Sequence, residues 1–315
     1  MKVIFMGTPD FAVSILNGII DAGHEVVCVV TQPDRNRGKG KGMSFSPVKE
    51  VAVSHGISVL QPELVRDNPG FLDELKKLNA DVSIVAAYGQ ILPQEVLDAA
   101  KFGCLNVHAS LLPSYRGAAP IEWSIIDGCD KTGVTIMQMD AGLDTGDMLS
   151  KSVVNIEKDD TAESLETKLA AEGADLLIKT LKDLENGNLH PVKQGETDTR
   201  YSSMLNKQMG NIDWKLDAVY IERLSRGLYP WPGTYTYFGG KMLKIWKVQV
   251  VDVPDELVNK APGEFFADKK GMYIKTGKGA LSVLEVQSEG KKRMPIGDYL
   301  RGISVNSGKM TMEGR

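Results

Sequence analysis

The sequence has only three cysteines, Cys28, Cys104 and Cys129, far apart and with no CxxC among them. That excludes a disulfide-framed secreted fold and a cysteine-based zinc site. No apolar run approaches the about 18 residues that span a bilayer. The opening MKVIFMG passes straight into a helical pattern, unlike a secretory leader, so a cytoplasmic location is expected. Nucleotide motifs are missing too. The turn after the first apolar run, Gly7-Thr-Pro-Asp10, lacks the second and third glycines of GxGxxG, and there is no GxxxxGK[ST]. Asp140, Asp144 and Asp147 lack the spacing of a calcium loop, and no metal is expected. Histidine is scarce. His24, His55 and His190 lie beside helix ends or a proline and read as surface residues, which leaves His108.

What is present is ordinary in composition, with 42% hydrophobic and 25% charged residues, as in a soluble globular protein. The 315 residues suggest two domains. Charge divides the chain unevenly. Residues 1–205 hold 19 Lys and Arg against 29 Asp and Glu; residues 206–315 hold 18 against 12. A basic half on an acidic protein indicates either a polyanionic partner or a lysine-rich solvated surface. Nothing calls for a stable protein partner, and a monomer is expected.

Apolar periodicity predicts a β-α-β opening: a strand over 2–7, a helix over 11–22 ending at Gly23, and a strand over 25–31. Further strands are expected over 57–60, 81–87, 104–107, 133–139 and 148–156, with helices over 47–55, 68–78, 121–126 and 161–184. This order implies an α/β domain with a Rossmann-like, open and mostly parallel sheet, helices on both faces, over residues 1–189. Residues 190–206 are polar and irregular, and read as a linker. In 207–315 a helix over 216–228 precedes short strands separated by glycine turns. That pattern suggests a small OB-like β-barrel.

Two stretches carry chemistry. Gln32–Ser46 is almost devoid of apolar residues and bears three glycines and the cations Arg35, Arg37, Lys39 and Lys41. It is a loop suited to phosphates, or else a solvated tether. The other stretch is Gly103-Cys-Leu-Asn-Val-His-Ala-Ser-Leu-Leu-Pro-Ser-Tyr-Arg-Gly117. Asn106 and His108 are two apart on a strand, so they share a face, and Pro113 ends the strand region. Ligands of open α/β sheets sit at such strand ends. An amide and an imidazole can both donate to a tetrahedral oxyanion, and a carboxylate, with Asp144 the leading candidate, can move a proton or orient the ring. A satisfied structural histidine is the alternative. For Asp140 and Asp147 the alternative to ligation is an Asx turn. Arg116 could bind an anion or pin its loop.

The runs Asn106-Val-His-Ala-Ser-Leu-Leu-Pro-Ser-Tyr-Arg-Gly-Ala-Ala-Pro120 and Gly133-Val-Thr-Ile-Met-Gln-Met-Asp-Ala-Gly-Leu-Asp-Thr-Gly-Asp147 resemble the methionyl-tRNA formyltransferases, within the 10-formyltetrahydrofolate-dependent formyltransferases. So do Gly7-Thr-Pro-Asp-Phe11, Ala87-Tyr-Gly-Gln-Ile-Leu-Pro93 and Pro230-Trp-Pro-Gly233. The resemblance implies catalytic roles for Asn106, His108 and Asp144 and a folate contact at Ser110, Leu111, Leu112 and Pro113. Ile91 and Leu92 would complete an apolar pterin pocket. It also implies 10-formyltetrahydrofolate as formyl donor, charged initiator tRNA as acceptor, and tRNA contacts from the basic loop and the C-terminal barrel. Where the family commonly shows Gly-Arg-Gly in that loop, this chain has Gly38-Lys39-Gly40, which keeps the charge without the planar fork. The Asn-x-His and Asp set specifies formyl transfer better than it specifies the acceptor. A sugar-nucleotide or ribonucleotide amine is the alternative acceptor. An RNA-binding protein without catalysis is the alternative class.

Overall fold

The computed structural model describes residues 1–36, 43–197, 199–303 and 305–312. The chain forms two compact units. Unit 1 comprises Met1–Pro120, Lys131–Asn155 and Glu166–Ser202; unit 2 comprises Ile121–Asp130, Ile156–Leu165 and Ser203–Arg315.

In chain order the first elements are β1 (Lys2–Gly7), α1 (Asp10–Asp21), β2 (Glu25–Val30), β3 (Arg35–Asn36), β4 (Met43–Ser44), α2 (Pro47–Ser54) and β5 (Val59–Leu60). Then come α3 (Pro69–Lys77), β6 (Val82–Ala86), α4 (Gln94–Leu97), β7 (Cys104–His108), α5 (Pro120–Ile126), β8 (Lys131–Gln138), β9 (Met148–Asn155) and α6 (Ala162–Glu185). The main sheet has the order β5-β2-β1-β6-β7-β8-β9. The first five strands run parallel; β8 is antiparallel to β7 and β9 to β8. The sheet is thus mostly parallel, as the sequence suggests. Only β8 is reversed: β9, antiparallel to it, runs in the direction of the first five strands, and the short loop between β8 and β9, with no helix in it, can join only antiparallel strands.

Strand alternation sorts the core. Ile4, Met6, Cys28, Val30, Val85 and Cys104 share one face, packed with Phe71 and Leu75 of α3 and Val96 and Leu97 of α4. On the other face α6 comes close through Gly173, where an added Cβ would lie 3.0 Å from Val107, 3.2 Å from Ile15 and 3.5 Å from Val134. Burial pushes the Cys28 thiol up to about 11 and the Cys104 thiol up to about 12, so both stay protonated and act as apolar filler.

The strand order reverses between β1 and β6, the topological switch point of an open α/β sheet. At that carboxyl edge Thr8 Oγ1 and Gln32 Nε2 both donate to the Tyr88 carbonyl, at 3.3 and 3.2 Å. The loop after β7 leaves from the same edge.

Unit 2 holds α7 (Ala218–Gly227), β10 (Thr234–Phe238), β11 (Lys241–Val251), β12 (Glu264–Ala267), β13 (Met272–Lys275), β14 (Ala280–Ser288), β15 (Met294–Pro295), α8 (Ile296–Arg301) and β16 (Ser307–Lys309). Its antiparallel sheet runs β10-β11-β14-β13-β12-β16, with β15 added to β14. A bridge between Tyr237 and Thr311 ties the chain beyond β16 back to β10, so the sheet is curled like a half-barrel. Inside it lie Trp214, Ile245, Phe265, Met272, Ile274 and Val283, with Ile221 from the amphipathic α7. Trp214 Nε1 donates to Thr236 Oγ1 at 3.0 Å, which satisfies the buried indole. Among the described residues no helix is long and apolar enough to cross a membrane.

Candidate active site

β7 delivers Asn106 and His108 to one face at its carboxyl end, only 9% and 5% exposed. Asp144 comes from the loop joining β8 and β9, which the antiparallel pairing folds back over them. The structure brings the three together. The Asp144 Oδ1 atom lies 3.7 Å from His108 Nδ1 and accepts from Asn106 Nδ2 at 3.5 Å. Its Oδ2 accepts from the Gly117 amide at 2.9 Å.

The partner of the other imidazole nitrogen fixes a proton. His108 Nε2 lies 3.1 Å from the Tyr115 carbonyl, which can only accept, so Nε2 carries a hydrogen. Nδ1 then faces the carboxylate, and a second proton there makes an imidazolium paired with Asp144. Asn106 has a second amide hydrogen beyond the one given to Asp144. Two donors, one of them able to carry charge, therefore stand beside one carboxylate. That arrangement can stabilise an oxyanion while a proton moves.

The loop that carries these groups is held tightly. Leu112–Pro113 is a cis peptide, and Tyr115 and Asp144 have φ of 55° and 54°. Thr135 Oγ1 accepts from the Leu112 amide at 3.1 Å and donates to the Ser110 carbonyl at 2.7 Å. Ser110 Oγ donates to the Ser114 carbonyl at 2.6 Å, and Lys151 Nζ donates to the Leu112 carbonyl. Arg116 is used in pinning: its Nε donates to Gln194 Oε1 at 2.8 Å and its second terminal nitrogen to the Gly195 carbonyl at 3.3 Å. Asp140 forms a turn, its Oδ1 accepting from the Gly142 amide at 3.0 Å and Thr145 Oγ1 at 2.8 Å. Among the described residues no cluster of His, Cys, Asp or Glu could hold a metal.

The family described as formyl transferase matches residues 1–181, and the formyl transferase C-terminal domain matches residues 204–304. The chain belongs to the formyl transferase family. A methionyl-tRNA formyltransferase from Caldanaerobacter subterraneus subsp. tengcongensis is 53% identical over 308 residues, covering 98% of this chain and 99% of that one. Among solved structures, the N-formyltransferase from Helicobacter canadensis, in complex with folinic acid and dTDP-3-aminofucose, is 20% identical. It superposes at a TM-score of 0.68 over 91% of this chain and 99% of that one. HypX from Aquifex aeolicus, in complex with tetrahydrofolic acid, is 18% identical and superposes at 0.64 over 95% of this chain and 47% of that one. At these identities the two structures establish a shared fold.

Within this formyl transferase the other expected site residues are dispersed in burial. Ile91 is 70% exposed, whereas Leu92 is 5% exposed within the core beside Val65 and Val96. Ser110 and Leu112 are fully buried, Leu112 against Met137 and Met148; Leu111 and Pro113 are half-buried. Of the basic loop, Arg37, Lys39 and Lys41 lie outside the described residues, and Arg35 is placed by its backbone alone, in β3. The stem of that loop is closed at the carboxyl edge. Thr31 Oγ1 and Ser46 Oγ are 2.8 Å apart, and Lys49 Nζ donates to Asp34 Oδ2 at 2.5 Å and to Gln61 Oε1 at 2.7 Å. The Lys49 and Gln61 bonds hold the Asp34 carboxyl below the usual carboxylate range.

The sequence did not single out Gln194, Thr199 and Ser202. They fall in the polar stretch that reads as a linker, where neither periodicity nor a motif marks them, yet all three grip the active loop. Thr199 Oγ1 accepts from the Tyr115 amide at 2.9 Å. The Ser202 amide donates to the Arg116 carbonyl at 2.7 Å, and its carbonyl accepts from the Ala118 amide at 2.7 Å. In unit 2 the sequence also missed a cation-aromatic cluster. Lys244 Nζ and the Arg293 guanidinium lie 4.9 and 5.3 Å from the Trp246 ring, and Arg293 lies 5.4 Å from that of Tyr229.

Proposed function

We propose that this chain transfers the formyl group of 10-formyltetrahydrofolate to the α-amine of methionine on charged initiator tRNA, yielding the N-formylmethionyl-tRNA used to start translation. The observation that carries the reading is the convergence of Asn106, His108 and Asp144 at the sheet edge in a chain 53% identical, end to end, to a methionyl-tRNA formyltransferase.

In this reading the amine attacks the formyl carbon. His108 and the spare hydrogen of Asn106 donate to the formyl oxygen as it becomes an oxyanion, which requires His108 Nε2 to leave the Tyr115 carbonyl or share with it. Asp144 balances the charge on His108 and assists departure of the amine proton, directly or through a water. Collapse of the tetrahedral intermediate breaks the carbon–N10 bond, and N10 leaves with a proton. The folate contacts fall to the groups with accessible surface, Ile91, Leu111 and Pro113, backed by the buried Leu92, Ser110 and Leu112.

The division of labour that goes with this mechanism gives formyl transfer to residues 1–189 and tRNA binding to residues 207–315, with Arg35, Arg37, Lys39 and Lys41 added from the basic loop. The surplus of cations over residues 206–315 and the Lys244, Trp246, Arg293 cluster support an RNA-facing role, since phosphates and bases are held by cations and aromatic faces. The protein acts as a monomer in the cytoplasm.

The direct test mixes the protein with 10-formyltetrahydrofolate and charged Met-tRNA and assays N-formylmethionine after deacylation. Product with initiator and little with elongator Met-tRNA is expected. Folate binding without that product would favour the small amine acceptors, the class to which the Helicobacter structure's sugar ligand belongs. For the loop, replacing Arg37, Lys39 and Lys41 together by Gln should raise KM for tRNA and flatten its dependence on salt, since each lost phosphate contact lowers the slope by roughly one. Equal salt slopes for wild type and variant would remove the loop from phosphate binding.

A further inference from the structure

Asp144 adopts a left-handed backbone, φ 54°, that costs a non-glycine residue about 1–2 kcal/mol and persists only where its surroundings enforce it. The enforcing group comes from far along the chain. Gln194 Nε2 donates to both the Asp144 and the Gly146 carbonyls, each at 2.8 Å, while its Oε1 accepts from Arg116 Nε at 2.8 Å. Reversing the amide would oppose its NH2 to the Arg116 N–H and its oxygen to two carbonyls, so only one orientation satisfies all these groups. Gln194 therefore joins the two loops that flank His108. One carries Asp144. The other carries Gly117, whose amide grips the Asp144 carboxylate at 2.9 Å. Five residues on, Thr199 holds the Tyr115 amide, and the Tyr115 carbonyl holds His108 Nε2. Ser202 then pairs with Gly117, so closely that a Cβ on Gly117 would lie 2.7 Å from the Ser202 carbonyl oxygen.

We propose that Gln194, Thr199 and Ser202 act as a positioning strap for formyl transfer and that Gln194 is its positioning residue, setting Asp144 against His108 and Asn106. The proposal rests on the reading of that trio as the formyl-transfer site. It requires the amide of Gln194 and not only its size. Glu has the same shape and a better acceptor for Arg116, but as a carboxylate it has no hydrogen for the two carbonyls.

The test compares Gln194→Glu and Gln194→Ala with wild type in steady-state formylation of Met-tRNA. Both variants should lose about tenfold to a hundredfold in kcat, the scale of a small misplacement of reacting groups, with KM for 10-formyltetrahydrofolate within about threefold of wild type. The ratio of the Q194E to the wild-type kcat should rise as pH is lowered towards about 5, where a protonating glutamic acid regains a hydrogen to donate. A kcat within about twofold of wild type in both variants, with no pH-dependent ratio, would overturn the proposal. If Q194A does not fold, Q194E and its pH dependence carry the test.

A readout without turnover separates this proposal from the functional one. In Q194E the His108 imidazole nitrogen resonances should move towards their positions in Asp144→Asn. If the wild type makes no formylmethionine, the functional reading fails, while the resonances still decide the strap. Unmoved resonances would show that Gln194 does not set Asp144 against His108.

Discussion

His108→Ala is expected to lower kcat for formyl transfer by about 10²–10⁴-fold, the range for a lost general acid–base or oxyanion group. That corresponds to about 3–5 kcal/mol of transition-state stabilisation. The effect should fall on kcat because the formyl oxygen is neutral in the bound donor and charged only as the amine adds. Both imidazole nitrogens face protein groups, the Tyr115 carbonyl and the Asp144 carboxylate, so removing the ring should alter little that holds folate. Steady-state kinetics with 10-formyltetrahydrofolate as the varied substrate check this, together with equilibrium binding of a folate analogue. A kcat within about threefold of wild type would take His108 out of the mechanism, and a matching rise in KM would recast it as a folate-binding group.

Gly146→Ala is the second change with a large expected effect, and its cause is space. A Cβ there would lie 1.7 Å from the Gln138 carbonyl oxygen and 2.9 Å from the carbonyl carbon, both in the backbone of β8, which cannot swing aside. The loop between β8 and β9 must open instead, and Asp144 lies two residues away. A shift near 1 Å at the carboxylate predicts about a hundredfold loss of kcat. The overpacking itself should destabilise unit 1 by roughly 1–3 kcal/mol. Thermal unfolding and kcat measured on the same sample test the two effects together. Wild-type kcat with a lowered melting temperature would mean that the loop relaxes without moving Asp144.

The elements legible in the sequence are those that bury a regular face. β1, β2, β6 and β7 are short β-branched or apolar runs, α1 and α7 show helical spacing, and Asn106 and His108 declare a shared face by standing two apart. Asp144 was legible through the chemistry that an amide and an imidazole lack. β15, β16 and α8 were not, because elements of two, three and six residues carry too few apolar positions to show a period. The fate of Arg116 was equally hidden: its partners lie 78 and 79 residues away, and an arginine looks the same in a sequence whether it binds an anion or a glutamine. Gln194, Thr199 and Ser202 belong to this second kind. Their contacts are hydrogen bonds to backbone and side-chain atoms distant in sequence, which impose no repeat and no composition on the chain.

Unit 2 is assembled from Ile121–Asp130 and Ile156–Leu165 as well as from Ser203 onward. Within it Trp123 Nε1 donates to the Ser203 carbonyl at 2.9 Å, Arg226 donates to the Asp160 carbonyl at 2.9 Å, and Gly227 leaves 2.6 Å between its missing Cβ and Ile126. Unit 2 is therefore not a cassette that recombination could exchange at one crossover. A chimaera joined near residue 206 would bring in a new tail but keep the two inner segments of the old parent, and its unit 2 would be a mosaic with mismatched packing. Change in unit 2 is then expected to come by piecemeal substitution, with segments 121–130, 156–165 and the tail changing in step.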